Sequence, residues 1–225
     1  MKPSQLLFGI AAAVGVNAAT PPGSSPQVPN SLGLVFDKNI VTPGEMVAQS
    51  VADAAQPSLF YTPHLKPGPR GLKKHPLPLP LPKPLDKTYL FTLVDLNLPF
   101  FALPPTTDFA SLVPGIGKNR TTRLHWFEYN VHASAPFFSL QNQSLPIAEY
   151  QGPMPPKGDG FHNYVLYLFE QPEGFDPEEY LAQDYDGDSF ARMNFSVKGL
   201  EERVGAAPVA ANYFLVENEN NTRTA

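Results

Sequence analysis

The chain has 225 residues, a net charge of −5, no cysteine and an aromatic content of 12%. The acidic balance argues against nucleic acid as a partner, because nucleic acid binding needs a dense basic face. Without cysteine there is no disulfide bond, so the fold must rest on its apolar core, and one domain of this length can bury enough surface to do so.

The N-terminus, residues 1–18, predicts a signal peptide. A lysine precedes an apolar run from Leu6 to Val16, and Val16-Asn17-Ala18 forms a small-x-small cleavage site. A buried N-terminal helix is the alternative, but the proline-rich stretch after Thr20 would end it. We therefore expect a secreted protein, or one in the lumen of the secretory pathway, with no transmembrane span. Residues 19–30 are expected to form a disordered tether.

Glycosylation acceptor triplets agree with that route, since four N-x-Ser/Thr sequences occur in the chain. The candidate acceptors are Asn119, Asn142, Asn194 and Asn220.

Apolar and aromatic segments predict a single β-rich domain over 31–217, followed by a frayed tail over 218–225. The predicted strands are Leu32–Phe36, Ile40–Val41, Leu59–Tyr61, Tyr89–Val94, Arg123–Val131, Tyr164–Phe169 and Asn212–Val216. Two short helices are predicted: one starts at Asp176-Pro177 with a capping box completed by Glu179, and one covers Val197–Val204 behind Ser196. The predicted fold class is mainly β, a sandwich of antiparallel sheets with a few short helices.

A proline-rich insertion occupies residues 63–85. Its Leu-Pro repeats cannot pair as a central strand and favour extended polyproline geometry. Two interpretations stay open: a flap over the mouth of a binding pocket, or a solvated loop insertion.

The most distinctive segment is Tyr150–Tyr164. It places three glycines and three prolines ahead of His162 and Tyr164, which lead into an apolar strand. Prolines fix φ and glycines allow sharp turns, so the segment predicts a rigid loop that delivers a histidine to a small polar pocket.

This loop resembles the second signature of the phosphatidylethanolamine-binding protein (PEBP) family. Three other segments resemble that family in the same order: Val94–Pro99 is similar to its Asp-Pro-Asp-x-Pro motif, Leu124–Asn130 to the strand that follows, and Ala207–Phe214 to its closing strand. The resemblance covers about residues 31–217 and implies a PEBP-like β-sandwich.

The resemblance also implies a site. In the family, an aspartate, two histidines and a tyrosine line a cavity that takes an anion, and the matching positions here are Asp95, His125, His162 and Tyr164. The expected wall of the cavity is formed by Pro99, Gly152, Met154, Pro155 and Pro156. Two imidazoles beside a carboxylate can donate hydrogen bonds to an oxyanion, and Asp95 can keep one imidazole charged. Two histidines and a carboxylate can also bind metal, but no supporting spacing accompanies them, and we expect neither metal nor cofactor.

The sequence departs from the family pattern at two positions. Asn97 stands in place of the second aspartate, and Asn163 in place of the arginine after the histidine. The resemblance implies that these two family residues pair, so losing both avoids a stranded buried charge. The change also removes a guanidinium from the region, which makes a more apolar ligand plausible than a phospholipid head group.

Three functions follow as hypotheses. The first is binding of a small anionic or amphipathic ligand in the His/Asp pocket. The second is a cofactor-independent cyclase acting on an apolar polyketide-type intermediate of fungal secondary metabolism, with His125 or His162 as hydrogen-bond donor or acid–base catalyst oriented by Asp95. The third is inhibition of a serine carboxypeptidase. The sequence does not decide between binding and catalysis.

Overall fold

A computed structural model of the protein describes residues 19–61, 87–99, 120–134, 139–142, 144–188 and 190–221. The predicted signal peptide over 1–18, the proline-rich insertion over 63–85 and the acceptor Asn119 lie outside the described residues. None of the helices in the described ranges has the length and apolar character needed to cross a bilayer.

The described chain forms nine strands and three short helices. The strands are β1 (Gly33–Phe36), β2 (Asn39–Val41), β3 (Glu45–Met46), β4 (Ser58–Phe60), β5 (Thr88–Pro99), β6 (Arg120–Ser134), β7 (Ser139–Asn142), β8 (His162–Glu170) and β9 (Ala210–Val216). The helices are α1 (Gln49–Ala54), α2 (Glu178–Leu181) and α3 (Val197–Val204).

The strands are hydrogen-bonded in the order β2-β1-β4-β7-β6-β5-β8-β9-β3. All neighbours are antiparallel except β3 and β9, which run parallel. The long strands β5, β6 and β8 form the centre, and β5 lies between the other two. The functional segments of the sequence therefore lie on three adjacent strands.

The interior of the sandwich lies between these central strands and the short strands near the N-terminus. Leu34 and Leu59 from β1 and β4 belong to the same apolar cluster as Phe91, Leu166 and Phe214 from β5, β8 and β9. This cluster, which we call the inner core, fills one face of the central strands. The predicted mainly-β sandwich with a few short helices is confirmed.

The opposite face of the central strands carries a second apolar cluster, the outer core. Val165 and Phe169 of β8 pack there with Val197 and Leu200 of α3. Helix α3 has the predicted bounds, and its Ser196 side chain caps it by accepting a hydrogen bond from the Gly199 amide at 2.9 Å.

The segment over 19–30 differs from the predicted disordered tether. Ala19 and Val28 are buried in the outer core, and the Ala19 amide donates to the Val28 carbonyl at 3.1 Å. Composition predicted flexibility here, but two apolar side chains and a local hydrogen bond are enough to attach the segment to the sheet. The predicted frayed tail also begins late, because Asn218 and Asn221 donate to loop carbonyls.

Only one half of the capping box predicted at the start of α2 is formed. The Asp176 carboxylate accepts from the Glu178 amide at 3.0 Å, as expected of a cap. The Glu179 side chain instead pairs with Arg203 of α3. The tertiary ion pair thus replaces the local capping contact.

Three irregularities interrupt the pairing of β5 with β6, and two of them lie beside the predicted site residues. Leu93 is opposite Trp126 and Val94 is opposite Leu124, which leaves His125 as an extra residue in β6. Asp95 is opposite Arg123 and Leu98 is opposite Thr121, which leaves an extra residue in β5. Such bulges redirect side chains and are common beside functional sites.

Candidate functional site

The predicted site residues converge at one end of the inner core. Asp95 is paired across β5 and β8 with Tyr164, and across β5 and β6 with Arg123, so the three side chains form a row on one face of the sheet. His162 lies two residues before Tyr164 on the same face of β8. The predicted set Asp95, His125, His162 and Tyr164 is 1%, 1%, 0% and 0% exposed respectively, so it forms a buried polar cluster.

The bulge in β6 brings His125 into this row. Leu124 belongs to the outer core while Trp126, two residues later, belongs to the inner core. A regular strand would place both on the same face, so the face must change at His125. The His125 ring then meets the Tyr164 ring edge to face, with centroids 5.1 Å apart.

Asp95 and His162 form a direct hydrogen-bonded pair. His162 Nδ1 lies 2.7 Å from Asp95 Oδ2, and the other carboxylate oxygen of Asp95 accepts from the Asn97 amide at 2.7 Å. Both carboxylate oxygens are therefore occupied. The pair orients the imidazole of His162 rigidly.

The second nitrogen of His162 contacts another carboxylate. Nε2 lies 3.0 Å from Asp159 Oδ2, and Asp159 also forms a two-point ion pair with Arg120. The hydrogen bond from Arg120 lowers the pKa of Asp159 to about 2, so this carboxylate is ionised at neutral pH. Each nitrogen of His162 therefore faces a carboxylate oxygen, an arrangement that favours the protonated ring.

The electrostatics agree with this charge state. Burial lowers the pKa of His162, but the hydrogen bonds and charges of Asp95 and Asp159 outweigh burial, and the net effect is a raised pKa. The two carboxylates thus favour the charged form of His162.

His125 has the opposite protonation state. Burial, followed by the positive charge of Arg123, lowers the pKa of His125 to about 4, so the ring is neutral at neutral pH. Its Nδ1 lies 2.8 Å from the Gln151 carbonyl oxygen, which can only accept, and Nδ1 therefore carries the proton. Nε2 consequently presents a lone pair.

Tyr164 contributes a buried hydroxyl between these groups. Its ring lies 6.3 Å from the His162 ring and 5.6 Å from the Phe214 ring, both stacked. Burial and the nearby Asp95 charge raise the pKa of Tyr164. Although the hydroxyl is close to Asp95, within the described chain it makes no hydrogen bond of acceptable geometry.

The predicted wall residues lie in the loop before β8 and at the end of β5. Gly152 and Pro155 are buried, Pro156 is half-buried and Met154 is exposed, and Pro99 is buried at the end of β5. A side chain at Gly152 would collide with Asp53 of α1, so the glycine permits the loop to pack against that helix. Contact between these wall residues and a ligand stays a prediction.

The two departures from the family motif meet in space. Asn163 donates from both its backbone amide and its side-chain amide to Asn97 Oδ1, at 2.7 and 2.6 Å. A neutral amide pair therefore occupies the position where the resemblance implied an ion pair.

The asparagine at position 163 suggested that the region has no guanidinium group, but two arginines from elsewhere in the chain lie there. Arg120 and Arg123 of β6 both lie at the site, and sequence reasoning missed them together with Asp159. Arg123 Nη2 donates to Gln151 Oε1 at 2.6 Å, and burial lowers its pKa. For Arg123 the available signal was a cation at the first position of a strand predicted to be buried, and Arg120 and Asp159 carried no such signal.

Arg192 is a further residue that sequence reasoning missed. It is fully buried and donates to the carbonyls of Leu124 and His125 at 3.4 and 3.3 Å. It also pairs with Asp186. Arg192 thereby holds the backbone at the β6 bulge that positions His125.

The carboxylate oxygens and imidazole nitrogens of this cluster do not surround a common point as metal ligands would. Asp95 and Asp159 bind opposite nitrogens of the His162 ring, which keeps their oxygens on different sides of it. Among the described residues, no group of three or more histidine, cysteine, aspartate or glutamate side chains has the arrangement of a metal site.

A separate groove of about 480 Å³ lies beside the β3–β9 edge. It contains none of the predicted ligand-binding residues. Its lining is Met46, Val47, Ala48, Gln49, Phe161, Leu215, Glu217, Asn218, Glu219 and Asn221.

Two of the predicted glycosylation acceptors have described side chains. Asn220 is exposed, whereas Asn194 is half-buried with a φ of 55°. Asn142 lies at the end of β7. Use of any of these acceptors stays a prediction.

Residues 86–214 match the family model of the phosphatidylethanolamine-binding proteins, which is more than half of the chain. The protein belongs to the phosphatidylethanolamine-binding protein family. The resemblance found in the sequence motifs is confirmed.

Individual relatives differ in the share of the chain that they match. Phomoidride biosynthesis cluster protein N of Talaromyces stipitatus is 26% identical over 220 residues, covering 93% of this chain and 96% of that protein. Carboxypeptidase Y inhibitor of Saccharomyces cerevisiae is 50% identical over 77 residues, covering 34% of this chain and 35% of that protein.

Solved structures agree on the fold. The crystal structure of carboxypeptidase Y inhibitor complexed with its cognate proteinase matches with a TM-score of 0.53 and 19% identity, over 86% of this chain and 85% of that one. Phosphatidylethanolamine-binding protein from Plasmodium vivax matches with a TM-score of 0.50 and 15% identity, over 88% and 92%. At such identities the likeness shows the fold alone.

Proposed function

We propose that this protein binds a small anionic or amphipathic molecule in the pocket formed by Asp95, His125, His162 and Tyr164. The observation that carries the proposal is the convergence of these four buried polar side chains, from three adjacent strands, at one end of an apolar core. Burying a polar group costs free energy unless it is hydrogen-bonded, so a ligand that bonds to the unsatisfied members of this cluster would lower that cost. Tyr164 retains a hydroxyl without a described partner, which suits contact with a ligand.

Ligand binding can be tested with the full chain and two matched histidine variants. Native mass spectrometry and thermal shift would be measured across fatty acids, lysophospholipids and organic anions. We expect stabilisation of the wild type, and loss of it in His125→Ala. His132→Ala is the control, because His132 lies on the same strand outside the cluster. Equal binding by both variants, or no binding by the wild type, would contradict the proposal.

Catalysis in secondary metabolism is the second candidate. It is favoured by the relative named for a phomoidride biosynthesis cluster, which aligns over 93% of this chain. Environments that separate the pKa values of two neighbouring histidines are suited to acid–base work. His125 with a free lone pair would accept a proton from the substrate, while Asp95 and the charged His162 would supply the oriented electrostatic field. The reaction would be a cofactor-independent cyclisation.

Metabolite profiles would test the catalytic candidate. A strain lacking the gene would be complemented with the wild type or with His125→Ala. We expect one product to disappear in the deletion strain, to return with the wild type and to stay absent with the variant. A deletion profile identical to that of the parent would exclude the role.

Inhibition of a serine carboxypeptidase is the third candidate, and it is supported by the 77-residue match to carboxypeptidase Y inhibitor. A peptidase assay with purified protein tests it directly. Full peptidase activity at a large excess of the protein would exclude this role.

We also propose that the protein enters the secretory pathway. The N-terminal segment 1–18 is expected to be removed, and the exposed Asn220 is the most accessible of the described glycosylation acceptors. N-terminal sequencing of the protein, recovered from the culture medium or from the endomembrane fraction, would begin near residue 19. A chain that begins at Met1 in the cytosol would contradict this localisation.

A further inference from the structure

The two imidazoles of the site cannot donate a hydrogen bond to an anion. His162 uses both nitrogens on Asp95 and Asp159, at 2.7 and 3.0 Å. His125 uses its only N–H on the Gln151 carbonyl, so its Nε2 can only accept. An anionic ligand must therefore be held by other groups.

Two buried donors without a well-formed hydrogen bond in the described chain lie in the same row of the sheet. They are the Arg123 Nε and the Tyr164 hydroxyl, and the hydroxyl lies near the Asp95 carboxylate and the Met154 backbone. Asp95 is paired with both residues, with Arg123 on one neighbouring strand and Tyr164 on the other. Unsatisfied buried donors are costly, and a bound acceptor would remove that cost.

The charge balance of the site points the same way. In the described chain, Arg123 forms no ion pair and bonds only to the neutral Gln151 side chain. The other cations around the site each contact a carboxylate, in the pairs Arg120–Asp159, Arg192–Asp186 and His162–Asp95. Among the residues that the structure describes, Arg123 is therefore the cation at this row without a carboxylate of its own, and Asp95 acts on it only at a distance.

We propose that Arg123 and Tyr164 bind the carboxylate of an apolar organic acid, and that His125 Nε2 accepts a hydrogen bond from a hydroxyl of the same ligand. This inference rests on the proposed binding function and names its ligand class. A single unbalanced cation matches a monoanion better than a dianionic phosphate, and a planar guanidinium suits a planar carboxylate. Because His125 Nε2 carries a lone pair, it repels a further anionic oxygen of the ligand and attracts a hydrogen-bond donor such as a hydroxyl.

The test is isothermal titration of the full chain at pH 7 with three probes of equal tail length. The probes are 3-hydroxydecanoate, decyl phosphate and 1,3-decanediol. The wild type should bind 3-hydroxydecanoate most tightly. Arg123→Gln should weaken that binding by about 10- to 100-fold, the usual effect of losing a charged hydrogen bond, and should leave the diol unchanged.

Further variants separate the possible outcomes. Arg123→Lys keeps the charge without the planar fork and should fall between the wild type and Arg123→Gln. Arg203→Gln is the matched control, because Arg203 is exposed and paired with Glu179. The thermal midpoint of each variant verifies folding. His125→Ala should weaken binding of both the hydroxy acid and the diol.

The contrary results are distinct. If Arg123→Gln binds the hydroxy acid as the wild type does while His125→Ala does not, the inference about Arg123 is overturned and the binding function stands. Tighter wild-type binding of decyl phosphate than of the hydroxy acid overturns the ligand class. If the wild type binds none of the three probes, the inference and the binding function fall together.

Discussion

At the scale of single residues, the site is defined by two histidines whose pKa values are shifted in opposite directions. His162 is bonded on both sides to carboxylates, while His125 is buried beside Arg123 and bonded to a carbonyl. Their identical side chains therefore differ because of their neighbours alone. This difference gives each histidine its own effect on stability as the pH changes.

His125→Gln should flatten part of the acid dependence of stability. Its folded pKa of about 4 lies below the ordinary 6.5, so between these values the unfolded chain binds a proton that the folded chain does not. Stability is therefore complete above pH 6.5 and falls toward pH 4. The wild type should lose about 3 kcal/mol over that interval relative to the variant. Urea unfolding at pH 7 and pH 4 measures the difference. Parallel pH profiles would contradict the account.

His162→Gln should change the profile in the opposite direction. The folded pKa of His162 is raised, so its contribution to stability is complete below pH 6.5 and is lost as the pH rises through the folded value. The wild type should therefore exceed the variant most in mildly acidic solution. The same unfolding series, extended to pH 9, measures this. A constant offset at all pH values would show that folding does not change the pKa of His162, and would contradict this prediction.

At the scale of elements, the position of the site depends on irregular backbone. The bulge in β6 turns His125 to the inner face, and Arg192 fixes the bulge by donating to its carbonyls. The rigid loop before β8 rests against α1, where the Tyr150 hydroxyl donates to the Ala52 carbonyl. Both elements thereby position residues of the proposed site.

Gly152→Ala should destabilise the protein, while Gly160→Ala in the same loop should not. A Cβ at Gly152 would overlap Asp53 of α1, whereas a Cβ at Gly160 would meet nothing within 4 Å. Overpacking of this kind costs about 1–3 kcal/mol. Chemical denaturation of both variants gives the comparison. Equal stability of the two variants would mean that the loop does not pack on α1 as described.

At the scale of the whole molecule, the sandwich and the nearness of Asp95, His125 and His162 were predicted from the resemblance of the sequence motifs to the family, while the binding role of these residues stays a prediction. The sequence did not predict Asp159 or Arg120 as part of the site, since their ion pair joins a loop to a strand 39 residues away in sequence. It predicted a free tether over 19–30, because composition does not reveal that Ala19 and Val28 find apolar partners. Tertiary contacts determine both the Arg120–Asp159 ion pair and the attachment of the segment over 19–30.

The most direct test of the account is nitrogen-15 NMR of the histidine rings in the folded protein at pH 7. Unfolded, both histidines would titrate near 6.5, so only the assembled fold separates them. The account predicts that both nitrogens of His162 have imidazolium shifts, and that His125 has one protonated and one unprotonated nitrogen. If both rings were neutral, or both charged, the site described here would be wrong.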